Sequence, residues 1–172
     1  MLKWLGASLI LSGAIGTGLW NKKQLYERVM LLRELEKILL LMKSEISYGQ
    51  VSFVNVLVRI MKDVKGPIHA GISRALVLIK EREGENIILI FAECMKNALA
   101  HTALKDEDME IFLDCFSGSS FHDHKAWILL MEREACEIHK KSERSEKEAM
   151  AGGRIAIAFG GMVGMAVVVI LL

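Results

Sequence analysis

Two stretches without a single charge bracket a middle in which charge is dense, and this arrangement constrains the fold more than any other feature. All but Lys3 of the 22 Lys and Arg residues lie between Lys22 and Arg154, and all 21 acidic residues lie between Glu27 and Glu148. Outside them run Trp4 to Trp20 (WLGASLILSGAIGTGLW, 17 residues) and Ile155 to Leu172 (IAIAFGGMVGMAVVVILL, 18 residues). At about 1.5 Å per helical residue, segments of this length reach roughly 25 Å, close to a hydrocarbon core of about 30 Å. Lys3, Trp4, Trp20, Lys22 and Lys23 supply interfacial anchors around the first segment. A cleaved leader with Ala14-Ile15-Gly16 at its processing site is the competing reading. Trp20 followed by two lysines favours a stop-transfer flank instead. A soluble protein would rarely end on an uncovered run such as 155–172, so this segment is expected to span as well.

Orientation follows from the flanking cations. Lys22, Lys23, Arg28, Arg33 and Lys37 follow the first segment, and Lys140, Lys141, Arg144, Lys147 and Arg154 precede the second. On the other side stand only Lys3 and the terminal amine. Both spans therefore place the middle in the cytoplasm and the termini across the membrane. The expected organisation is a transmembrane helix over 1–20, a cytoplasmic helical bundle over 21–151 and a transmembrane helix over 152–172. Small residues recur on one face of the second span at Gly153, Ala156, Gly160 and Gly164, and Gly6 and Gly13 sit seven apart in the first. Such stripes let helices pack closely, within one chain or between copies of a homo-oligomer. Glycine is also common in membrane helices, and that reading stands beside the packing one for Gly6 and Gly13.

The middle is written in a helical period. Leu25, Val29, Leu32, Leu35, Leu39, Met42 and Ile46 recur every three or four residues and predict a long amphipathic helix that continues out of the first span and ends near Tyr48-Gly49. Ser52 is placed to cap a second helix with Phe53, Val56, Leu57 and Ile60 inward. Gly66-Pro67 is expected to break it, and a short helix follows through Ile72, Leu76 and Ile79. Asn86 caps the next, whose start, Ile87 to Ala92, is apolar nearly all round and expected to be central. Thr102 opens a turn before Asp106 to Ser117, with Met109, Phe112, Leu113 and Phe116 inward. A last helix starts about His122 or Asp123 with Trp127, Leu130, Met131 and Ile138 inward, and then turns wholly polar, which predicts a solvated helix leading back to the membrane. One proline and two tyrosines argue against β structure. The fold class is all-α: a compact bundle of about six helices flanked by two transmembrane helices.

Chemistry has little to stand on. The net charge of +1 comes from interleaved acids and bases, so no face for nucleic acid stands out. There is no phosphate-cradling GxxxxGK[ST], no G-x-S-x-G, no H-E-x-x-H and no CxxC. The chain is therefore expected to be no enzyme, with no cofactor, metal or small-molecule substrate. Cys94, Cys115 and Cys136 are odd in number and widely spaced, which fits reduced, mostly buried thiols. His122-Asp123-His124 places its histidines two apart, on different helix faces, and Asp123 is better suited to capping a helix than the trio is to holding a metal. Glu45 lies beside the core position Ile46, so it sits either on the surface or within the bundle, paired with the Tyr48 hydroxyl.

The opening MLKWLGASLI, the segment Glu45-Ile46-Ser47-Tyr48-Gly49, the turn Thr102-Ala103-Leu104-Lys105 and the closing GGMVGMAVVVILL together resemble the stage III sporulation protein AB family over essentially the whole chain. The sequence departs from the family pattern where a Leu-Gly pair usually precedes the aspartate of the last helix; here Ser119 and Ser120 stand there. The resemblance implies a bundle similar to one cytoplasmic repeat of the inner-membrane platform protein of type II secretion and type IV pilus machines. It further implies a place in the mother-cell membrane around the forespore. There the protein would act as a scaffold linking a secretion-type ATPase, stage III sporulation protein AA, to the channel components encoded with it. Contacts of that kind would use turns: Tyr48 to Val51, Gly66-Pro67 and Gly118 to Asp123. The alternative is a membrane-anchored regulatory or sensor module with the bundle as its output domain. A sensor needs something outside to sense with, and a few residues at each end offer little.

Overall fold

The computed structural model describes residues 2–48, 52–82, 84–117 and 123–171, with the side chains of 2–19, 21, 48, 124 and 151–171 outside the description. Among the described residues the chain forms six α-helices and no strand: α1 (Leu2–Tyr48), α2 (Phe53–Met61), α3 (Gly66–Glu81), α4 (Ile87–Leu99), α5 (Asp106–Asp114) and α6 (His124–Leu171). Two compact units result. One is the bundle, Met30–Ser142; the other comprises the chain up to Val29 together with the chain from Glu143.

The period seen in the sequence builds the bundle. Along α1, Leu32, Leu35, Ile38, Leu39 and Met42 are fully buried and Ile46 nearly so. They join Val56, Leu57 and Ile60 of α2, Ile68, Ile72 and Ala75 of α3, and Ile90, Phe91, Cys94, Met95 and Leu99 of α4. Five rings close the centre. Phe91 meets Phe53 edge-on at 5.6 Å and Phe116 at 4.9 Å, Phe112 lies 5.2 Å from Phe116, and Trp127 of α6 lies 6.1 Å from Phe53. Burying each such side chain contributes about 1.5–3 kcal/mol, against at most about 1 kcal/mol for an exposed ion pair. The core therefore holds the helices together, and the polar contacts between helices mark their register.

That register is legible at two points. Lys43 Nζ meets Glu132 at 3.0 Å, and His139 Nδ1 meets Glu36 at 3.0 Å. Stepping two turns back along α1 matches two turns forward along α6, so the helices are antiparallel neighbours through the bundle. α3 and α4 pack closely against each other. At Gly71 of α3 an added Cβ would stand 2.8 Å from Met95 Sδ and 3.0 Å from Ala98 Cβ, so only glycine fits this approach without movement.

Three expectations are corrected. Gly66-Pro67 does not break α2, which stops at Met61; the pair opens α3, a helix of 16 residues. Gly66 has φ +60°, a left-handed conformation with open space around it, so the backbone and not crowding requires the glycine. Pro67 follows in the first turn, where its missing N–H costs nothing. The start of α4 is not uniformly central. Ile87 and Leu89 are exposed, because the buried stripe of that helix takes Ile90, Phe91, Cys94, Met95 and Leu99. The polar part of α6 is not wholly solvated either: Ser142, Ser145 and Ala149 are buried in a stripe that continues from Ile138. A small hydroxyl side chain satisfies itself locally, as Ser142 Oγ does by donating to the His139 carbonyl at 2.9 Å, and so fits a close-packed face.

Candidate partner-contact surface

The α2–α3 turn is held from below by α1. The Lys65 N–H donates to Glu34 Oε1 at 3.2 Å, placing a carboxylate at the start of α3, where the helix dipole favours it. About three turns further along the same face of α1, Glu45 Oε2 accepts from Arg59 Nη1 at 2.6 Å. Glu45 is thus a half-exposed anchor for α2, and its partner is Arg59; the Tyr48 side chain lies outside the described residues. Val64 is buried inside the turn, leaving Lys62, Asp63, Lys65 and Gly66 on its exposed rim.

At the start of α6, Asp123 Oδ1 accepts from the N–H groups of Lys125 (3.0 Å) and Ala126 (3.3 Å), so Asp123 does cap the helix. One turn on, Trp127 Nε1 donates to the Cys115 carbonyl at 2.8 Å in a buried site and ties α6 to the end of α5. Burial pushes the Cys115 thiol up to about 12, with the Glu134 and Asp114 carboxylates adding to the effect. Burial also raises the Cys94 thiol, while Cys136 is exposed. At the other end of α5, Asp108 is fully buried. It accepts from the Lys105 N–H at 3.1 Å and meets Lys141 Nζ at 3.3 Å, and Lys141 also reaches Glu107 at 3.2 Å. Among the described residues no group of His, Cys, Asp and Glu is arranged to hold a metal.

The turns singled out by the sequence do not form one surface. The α2–α3 turn lies level with Glu34, nine residues before Lys43; Asp123 lies nine residues before Glu132 on the antiparallel helix. Opposite steps from one paired level separate Gly66 from Asp123 by about 27 Å along the helix axes. Ser119, Ser120 and His122, with Gly49, Gln50 and Val51, lie outside the described residues, as do the faces of Gly6, Gly13, Gly153, Ala156, Gly160 and Gly164. Among the described residues no helix is long and apolar enough to cross a membrane, and both uncharged segments fall outside that search.

The sequence missed a sorting of charge that the fold performs. α3 turns His69, Arg74 and Lys80 outward behind the exposed Lys62 and Lys65, whereas α5 turns out Asp106, Glu107, Glu110 and Asp114. Interleaving along the chain concealed this, although the acid-only run DEDMEIFLD was a visible signal.

Comparison with known proteins places the chain. Among curated proteins there is no match. A solved structure of stage III sporulation protein AB superposes with a TM-score of 0.63 at 16% identity, covering 72% of this chain and 97% of that one, and so shares the fold. The family model for stage III sporulation protein AB matches residues 3–172. With a match over nearly its full length, this chain belongs to the stage III sporulation protein AB family.

Proposed function

We propose that the chain is a non-enzymatic, two-span membrane scaffold of a sporulation-specific channel complex, with its bundle in the cytoplasm coupling a secretion-type ATPase to the membrane assembly. One observation carries the reading. The helices that bear the uncharged segments, α1 and α6, run antiparallel through the bundle, so Met30 and Ser142 leave it at the same end. A bundle sitting on one side of a membrane needs that arrangement, and the cations flanking both segments put that side in the cytoplasm. The family's name supplies sporulation, and its likeness to secretion platforms supplies the ATPase, stage III sporulation protein AA.

On this reading the far end of the bundle meets the ATPase. The α2–α3 turn sits near the exit of α1 and α6, while the start of α6, with exposed Lys125 and Leu129, sits at the opposite end. Topology is tested with exposed Cys136 in a Cys94→Ala, Cys115→Ala background. A membrane-impermeant maleimide should label inverted vesicles and spare right-side-out ones; the reverse pattern refutes the orientation. Coupling is tested with the full chain in nanodiscs and the purified ATPase. Lys125→Glu with Leu129→Ala should weaken binding about tenfold, while Lys62→Glu with Lys65→Glu should leave it unchanged. Equal binding by all variants would refute the far-end contact.

A further inference from the structure

From the opposed charge on α3 and α5 we infer that the bundle associates head to tail with further copies of itself, the outward face of α3 on one copy docking against the outward face of α5 on the next. The α3 face is low in relief and mostly basic. Ala70, Ser73 and Val77 recur at intervals of three and four along its outer side; Ala70 is exposed, Ser73 half-buried and Val77 44% exposed. Side chains this small let another helix approach closely, and Val77 offers it an apolar contact. His69, Arg74 and Lys80 flank this line, and Glu81 is the acid among them. Arg74 and Lys80 form no ion pair with the described residues. A shallow line rimmed by Arg74 and Lys80, neither in an ion pair with the described residues, suits a second helix of opposite charge.

The same molecule carries that helix. α5 is short, has five acids and no base, and buries only Asp108 of the five. Among the described residues Glu110 and Asp106 form no ion pair and the Asp114 carboxylate accepts from Ser117 alone, while Glu107 is shared with Lys141. Half-buried Ile111 lies among these acids, four residues after Glu107 and three before Asp114, and gives Val77 an apolar counterpart. α4 packs against both α3 and α5, so the two outward faces are carried by separate helices of the one bundle. One copy can therefore engage two neighbours at once. A two-fold dimer through either face would set like charges against each other, so the favoured contact is heterologous and propagates from copy to copy. This inference rests on the bundle alone and stands or falls separately from the membrane-platform reading.

The test uses the full chain in detergent micelles, with self-association followed by sedimentation velocity. The α3 variant is Arg74→Glu with Lys80→Glu, and the α5 variant is Glu110→Lys with Asp114→Lys; both change exposed positions, and helicity is checked by circular dichroism. Each variant alone should associate about tenfold more weakly than the wild type, because two favourable charge pairs become repulsive. An equal mixture of the two should recover wild-type association, since the acidic α3 of one then faces the basic α5 of the other. Raising salt from about 0.05 M to about 0.5 M should weaken the wild-type contact, because the Debye length falls below the reach of surface pairs. A wild type that stays monomeric, association indifferent to both double variants, or a mixture that does not recover would overturn the proposal. Should a variant fail to fold, the salt series decides alone, and salt-insensitive association overturns it.

Discussion

Replacing Gly71 tests how closely α3 and α4 approach. Two effects of Gly71→Ala oppose each other. Alanine inside a helix is favoured over glycine by about 1 kcal/mol. Against this, the new methyl would stand 2.8 Å from Met95 Sδ and 3.0 Å from Ala98 Cβ. Met95 can swing, but Ala98 is fixed to the α4 backbone, so the helices must part by several tenths of an ångström. Overpacking of that kind costs about 1–3 kcal/mol, leaving Gly71→Ala destabilised by about 1 kcal/mol net. Gly71→Val adds two methyls in the same space and loses the propensity gain, so it should cost more than about 3 kcal/mol. The assay is urea unfolding of the chain in mild detergent, read by the fluorescence of buried Trp127 in a Trp4→Phe, Trp20→Phe background. Ala98→Gly should rescue Gly71→Ala by at least about 0.5 kcal/mol beyond additivity, the signature of residues in contact. A Gly71→Val variant as stable as the wild type, or the absence of any coupling to Ala98, would refute the close approach.

Three further outcomes are expected. Lys141→Met removes the cation from fully buried Asp108 and should cost about 3 kcal/mol in urea unfolding, the low end for a broken buried pair because the Lys105 N–H bond remains. Glu107→Gln, at a side chain 79% exposed, should cost less than about 0.5 kcal/mol. The Cys115 thiol is held at about 12 in the fold against 9.0 unfolded. The folded value is the higher one, so the stability this buried neutral thiol contributes is complete below pH 9 and lost progressively as pH rises from 9 toward 12. Wild type should thus lose stability faster than Cys115→Ala over that window, by a few kcal/mol at most. Parallel pH profiles would show that the thiol does not titrate with folding.

Where the sequence was informative, the physics was local. The α1 stripe from Val29 to Ile46 could be read because one apolar face recurs in register with the helix, and the caps at Asn86 and Asp123 because a short polar side chain bonds its own next turn. The failures have a common cause, which is that the deciding partner lies far away in sequence. Ile87 to Ala92 has no polar face from which to choose a side, so only the packing of α3 shows that Leu89 points out. Ser142 and Ser145 count as polar in any composition, yet the fold selects them for size. Glu45 gave no hint of Arg59, fourteen residues on in another helix. The candidate surface was legible only in part, since the separation of Gly66 from Asp123 depends on the antiparallel register of α1 and α6.

That register has a mechanical consequence. A helix pinned at a single point can still turn about its own axis. Within the bundle α1 and α6 meet at two levels two turns apart, Lys43 with Glu132 and Glu36 with His139, so neither helix can rotate without breaking both contacts. The two therefore behave as one antiparallel rod, and torque on either is shared by both.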